Sequence, residues 1–243
     1  MKGTSHAASG ALAGVTTAPW VSDLPAVQVG YAVATAGAAL LPDLDAPKSA
    51  ASTLVPAVTP ALHRLLAGAS ARLYRATAGP RDEPWTGRHR HMTHTAAFAL
   101  VAGGITTVGS LASPWVALGI YALVVLLAAN RLGDWALLVG LAGGGALADQ
   151  QLLGDPTAVA GPLGLAVAVG CLTHDLGDAC TPMGCPIAWP LLIAGETFYE
   201  LRLLGPLSFR TDGAIENRLV TPLLTVAAAA AVVLVWLEPG SLT

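Results

Sequence analysis

The sequence predicts an all-α fold, a polytopic bundle of helices embedded in a membrane. Hydrophobic residues make up 54% of the 243 residues and charged residues only 11%, with a mean hydropathy of +0.63. A soluble domain carries about a quarter charged residues, so this chain is too apolar for a water-soluble fold. Apolar runs approaching the roughly 20 residues that cross a bilayer recur along it. We therefore expect residues 1–243 to form a single integral-membrane domain with about six to seven spans.

Two apolar runs open the chain. Residues 6–18 are short and rich in small residues, and their Ser and Thr content makes them too polar for a typical signal-peptide core. We interpret this run as a retained, closely packed helix. Residues 26–41 form the next predicted helix, which Pro42 ends.

Residues 46–88 form an insert of different character, rich in basic residues and prolines. Within it, residues 56–77 set leucines against arginines, a pattern that predicts one amphipathic helix lying along the membrane interface. We expect the insert to be cytoplasmic or interfacial, and we interpret His63 within it as a solvated or interfacial residue.

The second half of the chain is again apolar. The predicted spans are residues 95–112, 114–129, 135–148, 158–172 and 219–237. Residues 149–156 are predicted to be a polar loop. Residues 182–195 carry three prolines, which predict a short broken or re-entrant helix.

The basic residues predict the orientation of the bundle. Residues 43–93 hold seven of the twelve Lys and Arg residues. If this segment is cytoplasmic, alternating spans bring the other five basic residues to the same side. The loops of the opposite side then carry acidic residues and no Lys or Arg. Because cytoplasmic loops of membrane proteins are enriched in Lys and Arg, we expect the basic side to face the cytoplasm.

The same topology gathers titratable residues at one face of the membrane. They come from four separate segments and are His6, Asp43, Asp45, His89, His94, His174, Asp175 and Asp178. Ionised residues close to a bilayer are rare without a partner and mark functional sites. We therefore expect one shared site at the cytoplasmic ends of the helices.

Imidazole and carboxylate groups together predict a divalent metal ion as the cofactor. This ligand set suits zinc, manganese or iron, and we favour zinc or manganese. His174 and Asp178 lie one turn apart on a helix and so point to a common side. Asp43 and Asp45 follow a proline, where an extended or turn conformation aims both carboxylates in similar directions. One could bind the metal while the other acts as general base or orients a histidine.

Several of these residues have a second interpretation. Asp43 and Asp45 could instead cap a following helix. Arg90 could neutralise a bound anion such as phosphate, or only follow the charge rule. The role of His91 stays open, and Glu216 is either a helix cap or an interfacial carboxylate. The three cysteines are interpreted as small buried residues.

These residues resemble the motifs of the YdjM-type family of bacterial inner-membrane, metal-dependent hydrolases, some of them LexA-regulated. The motifs occur in order and are Thr4-Ser-His6, Leu-Leu-Pro-Asp43-Leu-Asp45, His89-Arg90-x-x-Thr93-His94, His174-x-x-x-Asp178-x-x-Thr181-Pro-x-Gly184, Trp189-Pro190 and Gly213-x-x-Glu216. The family often has a glycine where this chain has His91, and the basic insert is longer than in the family. The resemblance implies a hydrolase of the bacterial inner membrane. It also implies the ligands His6, Asp43, Asp45, His89, His94, His174 and Asp178.

Two functions fit this pattern. The first is metal-assisted hydrolysis at the cytoplasmic surface of the membrane, with Asp43 or Asp45 as general base and Arg90 balancing charge, on a phosphoester or a lipid-linked substrate. The second is a non-catalytic membrane protein whose metal site is structural or serves transport. Transport sites lie near the midplane of the bilayer, whereas these ligands gather at span ends. The sequence has no long basic tract with interleaved aromatic residues, so nucleic acid is excluded as a partner.

Overall fold

The fold is described from a computed structural model that covers residues 1–84 and 86–237. That part of the chain is helical and contains no β-strand, only two isolated bridges, so the all-α prediction is confirmed. The helices are α1 (Gly3–Val21), α2 (Pro25–Ala38), α3 (Ala50–Thr53), α4 (Val58–Thr77), α5 (Ala96–Ala112), α6 (Pro114–Leu132), α7 (Asp134–Leu153), α8 (Thr157–Ala179) and α9 (Thr221–Val232). Two 3-10 turns, Pro42–Asp45 and Met92–His94, lie directly after α2 and shortly before α5. π-helical turns flank α9 at both ends.

Four helical segments of the described residues are long and apolar enough to cross a membrane. They are Pro25–Asp45, Pro114–Leu132, Thr157–Ala179 and Glu216–Trp236. Ala96–Ala112 is equally helical but shorter. The expected six to seven spans therefore exceed the number that satisfies both length and hydropathy. α1 shows one reason, because its Ser, Thr and Gly residues dilute the apolar ones.

α2 lies at the centre of the bundle and packs against α1, α6, α7 and α8. Small residues allow these close approaches. A Cβ at Gly37 of α2 would lie 1.7 Å from the backbone oxygen of Val124 in α6. A Cβ at Gly103 of α5 would lie 2.7 Å from the backbone oxygen of Gly164 in α8. The backbones of neighbouring helices thus touch, as in membrane bundles built on small residues.

Two predicted helix boundaries and one predicted helix need correction. α7 continues through the predicted polar loop to Leu153, because no helix-breaking residue occurs before Gly154, whose backbone nitrogen donates to Asp149 O and Gln150 O. α8 continues seven residues beyond the predicted end at residue 172, so His174 and Asp178 lie inside the helix. Residues 182–195 form turns and contain no helix, because their prolines recur every four residues.

The amphipathic helix of the insert is confirmed as α4. Its buried side, including Ala67, Ser70 and Ala71, faces the bundle, and the helix packs against both 3-10 turns. Ser70 Oγ donates to Gly87 O at 2.6 Å, and the backbone nitrogen of Met92 donates back to Ser70 Oγ at 3.2 Å. α4 therefore covers the end of the bundle at which the two turns meet.

Candidate metal centre

The last turns of α8 carry two ligand-type side chains on one face. His174 and Asp178 are four residues apart, and His174 Nε2 lies 3.7 Å from Asp178 Oδ2, as expected for this helical spacing. Both side chains are buried. His174 Nδ1 donates to the backbone oxygen of Ala39 at 2.8 Å. That bond fixes the ring and directs Nε2 toward Asp178.

α1 brings His6 to the same place. The His6 ring stacks on the His174 ring, with 3.7 Å between centroids and 13° between planes, and His6 Nε2 lies 3.3 Å from Asp178 Oδ1. Gly177 of α8 makes room, because a Cβ there would lie 3.3 Å from the imidazole. Neither ring nitrogen of His6 has a hydrogen-bond partner among the described residues. The contact with Asp178 is therefore one of charge, and buried ring nitrogens that make no hydrogen bond are costly unless they have another role.

The two 3-10 turns complete the cluster. His94 Nε2 lies 3.2 Å from His174 Nε2 and 3.7 Å from Asp178 Oδ2. Asp43 Oδ1 lies 3.9 Å from His174 Nε2. Two sets of potential ligands result, each with its atoms within 4.8 Å of one another: His6, His174 and Asp178 form one, and Asp43, His94 and His174 form the other.

The hydrogen bonds around His94 determine which of its nitrogens carries the proton. Thr93 Oγ1 donates its single proton to Asp45 Oδ2 at 2.5 Å. The same oxygen must therefore accept at its 3.0 Å contact with His94 Nδ1. His94 consequently carries its proton on Nδ1 and presents a lone pair at Nε2. His174 has the same tautomer, because the Ala39 carbonyl can only accept.

Two nitrogen lone pairs thus face each other at 3.2 Å, an arrangement that repels unless a proton or a cation lies between them. Burial, together with the adjacent His174, holds the pKa of His94 well below its usual value, which disfavours a proton. A divalent cation can accept both lone pairs, and Asp43 offers it negative charge. Asp178 lies within reach as well, and its carboxylate also pairs with the Met1 amino group and Arg90. The residues of this cluster therefore fit a metal ion.

Asp45 and His89, also predicted as ligands, lie outside both sets. Asp45 is buried, and its Oδ1 accepts from His89 Nδ1 at 2.6 Å while its Oδ2 accepts from Thr93. Asp45 Oδ2 is 3.9 Å from His94 Nδ1, the nitrogen on the far side of the ring from His174. Carboxylates in this position orient a metal-binding histidine and fix its tautomer.

The electrostatics of the loop before α5 follow from these contacts. Burial alone would lower the pKa of His89, but the hydrogen bond and charge of Asp45, with the charge of Asp43, raise that pKa above its usual value. Burial lowers the pKa of His91. The His91 ring packs against Tyr74, and its Nδ1 donates to His89 O at 2.6 Å. His91 thus holds the loop in place and lies outside both ligand sets.

Arg90 bridges the cluster and its surroundings. Its Nη2 lies 2.8 Å from Asp178 Oδ2, while its buried Nη1 has no hydrogen-bond partner among the described residues. Its backbone φ of 58° lies in the left-handed region, which costs a non-glycine residue roughly 1 kcal/mol or more. Such strain is concentrated at functional sites.

A cavity of about 450 Å³ opens beside the cluster. Its walls include Asp45, His63, His89, Arg90, Met183 and Glu200. No residue of the two ligand sets lines this cavity. The cavity adjoins the cluster through Arg90, which pairs with Asp178, and through Asp45, which accepts from Thr93 beside His94. His63, interpreted from sequence as interfacial, lines this cavity and donates from Nδ1 to Leu44 O at 2.9 Å.

The sequence assigns no role to Thr93, and for Glu216 it suggests only a helix cap or an interfacial carboxylate. Thr93 is only one member of a sequence motif, although a hydroxyl side chain between His91 and His94 indicates a possible hydrogen bond to a histidine ring. Glu216 is buried, and its two carboxylate oxygens accept from the backbone nitrogens of Lys2 at 2.8 Å and Asp212 at 2.6 Å. Glu216 therefore holds the start of α1, the helix that supplies His6.

The fold and the cluster define a class of protein: a polytopic membrane protein with a buried histidine and aspartate group, able to hold a metal ion, at one end of its bundle. The sequence matches the family described as YdjM inner membrane protein over residues 1–239. The chain belongs to this family, as its ordered motifs predict. No curated protein and no solved structure matches it.

Proposed function

We propose that this protein is a metal-dependent hydrolase of the inner membrane that acts on a phosphoester, in water or linked to a lipid. The observation that carries the proposal is the junction of two features. Side chains that can hold a metal ion include Asp178, which pairs with Arg90. Arg90 also lines a cavity, and its Nη1 has no hydrogen-bond partner among the described residues. A purely structural metal site requires the ligands but not an adjacent cavity lined by a cation with a free hydrogen-bond donor.

The proposed ligands are His6, Asp43, His94, His174 and Asp178, with zinc or manganese as the ion. When bound, such an ion lowers the pKa of a water molecule and polarises the scissile group. Asp45 and His89 act as positioning residues, because Asp45 uses both carboxylate oxygens to hold Thr93 and His89. With Asp45 assigned to positioning, Asp43 is the remaining candidate for the general base. Its Oδ1 faces His174 and would bind the ion, and the other oxygen of this partly exposed carboxylate would take a proton from an attacking water.

Arg90 is proposed to bind the substrate anion. Its Nη2 is occupied by Asp178, and its Nη1 is free to donate to a phosphoryl oxygen. Guanidinium groups suit this task because their rigid fork matches phosphate geometry. The charge that develops on the phosphoryl group during hydrolysis would then be stabilised in place.

We also propose that the site faces the cytoplasm. The end of the bundle with the cluster also carries basic residues outside the insert. Lys2 Nζ donates to Asn217 Oδ1, next to Arg218, and the Arg131 side chain lies against Gly3. The positive-inside rule assigns such an end to the cytoplasm.

The test is a turnover assay on the protein purified in detergent, using phosphomonoesters, phosphodiesters and lipid phosphates with and without chelator. We expect chelator-sensitive hydrolysis of at least one class. Asp43→Asn should lower it by about 10²–10⁴-fold, the usual contribution of a general base. Asp149→Asn, at an exposed position at the other end of the bundle, is the matched control and should retain full activity.

Metal content measured on the same samples separates the two candidate functions. Stoichiometric metal without turnover on any class would favour the non-catalytic site. A preparation that neither binds metal nor hydrolyses any substrate would contradict both.

A further inference from the structure

A second cavity lies on the other side of α1 from the metal centre. It has a volume of about 350 Å³ and is bounded by α1, α2, α7 and α9, with the last residue of α6 and the π-helical turn after α9. Its lining is almost entirely apolar and includes Ala8, Val15, Ala32, Val139, Ala229 and Trp236. His6 points from α1 to α8, so this cavity is separate from the proposed active site.

The cavity is a groove that runs along the helices. Along α9 and the π-helical turn that follows it, the groove extends from Thr225 to Trp236, roughly 16 Å at about 1.5 Å per residue. On α1 it extends from Ala8 to Val15. Ala229 in its wall is exposed, so the groove opens sideways between helices that belong to a membrane bundle. Hydrocarbon, and not water, is available to fill an opening at that depth.

The end of the groove near residue 132 is positively charged. Leu132 and Trp135 line it, and Arg131 precedes them with its guanidinium against Gly3, where a Cβ would lie 2.7 Å from Nε. Arg131 is half-buried and makes no ion pair or hydrogen bond with a described residue, Asp134 included. Lys2 and Arg218 lie at the same end, since Lys2 bonds to Asn217.

We propose that this groove binds one acyl chain of an anionic phospholipid, with the lipid phosphate held by Arg131. An elongated apolar channel, open to the bilayer and with an unpaired guanidinium at one end, is complementary to such a lipid in both shape and charge. Trp135 lies at the charged end, as tryptophans commonly do at the level of lipid headgroups. A neutral lipid or a second copy of the chain would leave the charge of Arg131 unused.

Native mass spectrometry of the full-length protein tests this, with phosphatidylglycerol and phosphatidylcholine as probes. Ala229→Phe puts a ring into the groove, whereas Ala230→Phe puts the same ring on an exposed α9 position outside it. We expect Ala229→Phe to lower bound phosphatidylglycerol by roughly fivefold or more, the effect of overfilling a packed space. Ala230→Phe should bind as the unmodified protein does.

The headgroup contact is tested by Arg131→Gln. Removing one basic residue at the membrane surface should weaken phosphatidylglycerol binding by about fivefold and leave phosphatidylcholine unchanged. Equal binding of the two lipids by the unmodified protein would overturn the proposal. So would a dimer that Ala229→Phe dissociates while bound lipid stays constant, since a second copy would then fill the groove. Thermal melting of each variant identifies any that fails to fold. Arg131→Gln then still tests the proposal, because it adds no bulk to the bundle and leaves the groove lining unchanged.

Discussion

Both ends of the helical bundle carry aspartates, but at one end the carboxylates are buried and at the other they are exposed. At one end Asp45 and Asp178 are buried among histidines, Thr93 and Arg90. At the other end Asp23, Asp149 and Asp155 are exposed, and Asp155 only caps the start of α8 by accepting from Thr157 N at 2.8 Å. Burial of a carboxylate is costly. The contrast therefore indicates that Asp45 and Asp178 are kept buried for a purpose other than stability. The predictions below separate groups that would bind or orient a metal ion from groups that stabilise the fold.

The largest expected effect is on metal binding. His174 belongs to both ligand sets, so His174→Ala should weaken metal binding by about 100-fold or more, beyond the loss caused by disturbing a supporting residue. Elemental analysis after dialysis, followed by competition with a chelator of known affinity, measures it. His91→Ala removes a histidine from the same end without touching either set and should bind metal normally. If His174→Ala retained its full metal content, the assignment of this cluster as a metal-binding site would be wrong.

The next effect concerns the anchor of α1. Glu216→Ala removes the charged acceptor of two partly buried backbone hydrogen bonds, which should lower the free energy of unfolding by roughly 1–3 kcal/mol. Thermal or chemical unfolding in detergent measures this loss. Glu200→Ala removes an exposed carboxylate paired with Arg202, and such surface pairs contribute under about 1 kcal/mol. Similar losses for the two variants would contradict the anchoring role.

A smaller effect is expected for the hydroxyl that relays between Asp45 and His94. Thr93→Val keeps the shape of the side chain but leaves Asp45 Oδ2 and His94 Nδ1 without their partner. Metal affinity should fall by about tenfold, as for other residues that orient a ligand. Thr106→Val, a buried threonine of α5 away from the cluster, is the control for the loss of a hydroxyl. An unchanged affinity in Thr93→Val would show that the tautomer of His94 does not depend on this relay.

The smallest expected effect is a lower pKa of His89. Asp45→Asn removes the hydrogen-bonded charge that raises the pKa of His89, so the pKa of His89 should fall. The sign has a consequence for stability. A raised histidine pKa stabilises the fold below the unfolded-state value of about 6.5, and that contribution is lost as the pH rises through the folded-state pKa. Histidine-selective NMR on metal-free protein follows the titration, and an unchanged or higher pKa in Asp45→Asn would reject this cause.

The all-α fold and most of the helices could be predicted from the sequence, and so could the gathering of His6, Asp43, His94, His174 and Asp178 at one end of the bundle, because these features depend on local pattern. Apolar runs, prolines and the i and i+4 spacing of His174 and Asp178 are visible in one dimension. Which residues of the cluster would bind an ion, and which would only orient a ligand, is not visible in the sequence. Whether Asp45 contacts an ion or holds a ligand depends on which side of the His94 ring it approaches, and that is set by how the turn at Pro42–Asp45 packs under α4. The helical extension of α7 was missed because polar residues at a helix end resemble a loop.

The contact between Glu216 and Lys2 has a consequence for the order of events during synthesis. The first helix contributes His6, yet the carboxylate that fixes its start belongs to residue 216 of 243. The nascent chain must insert almost all of its helices before that carboxylate reaches the first one. On the proposed function, the ligand set that contains His6 is therefore completed only at the last stage of assembly, whereas the set of Asp43, His94 and His174 does not depend on that contact. A protein truncated before residue 216 should bind metal more weakly than the full chain.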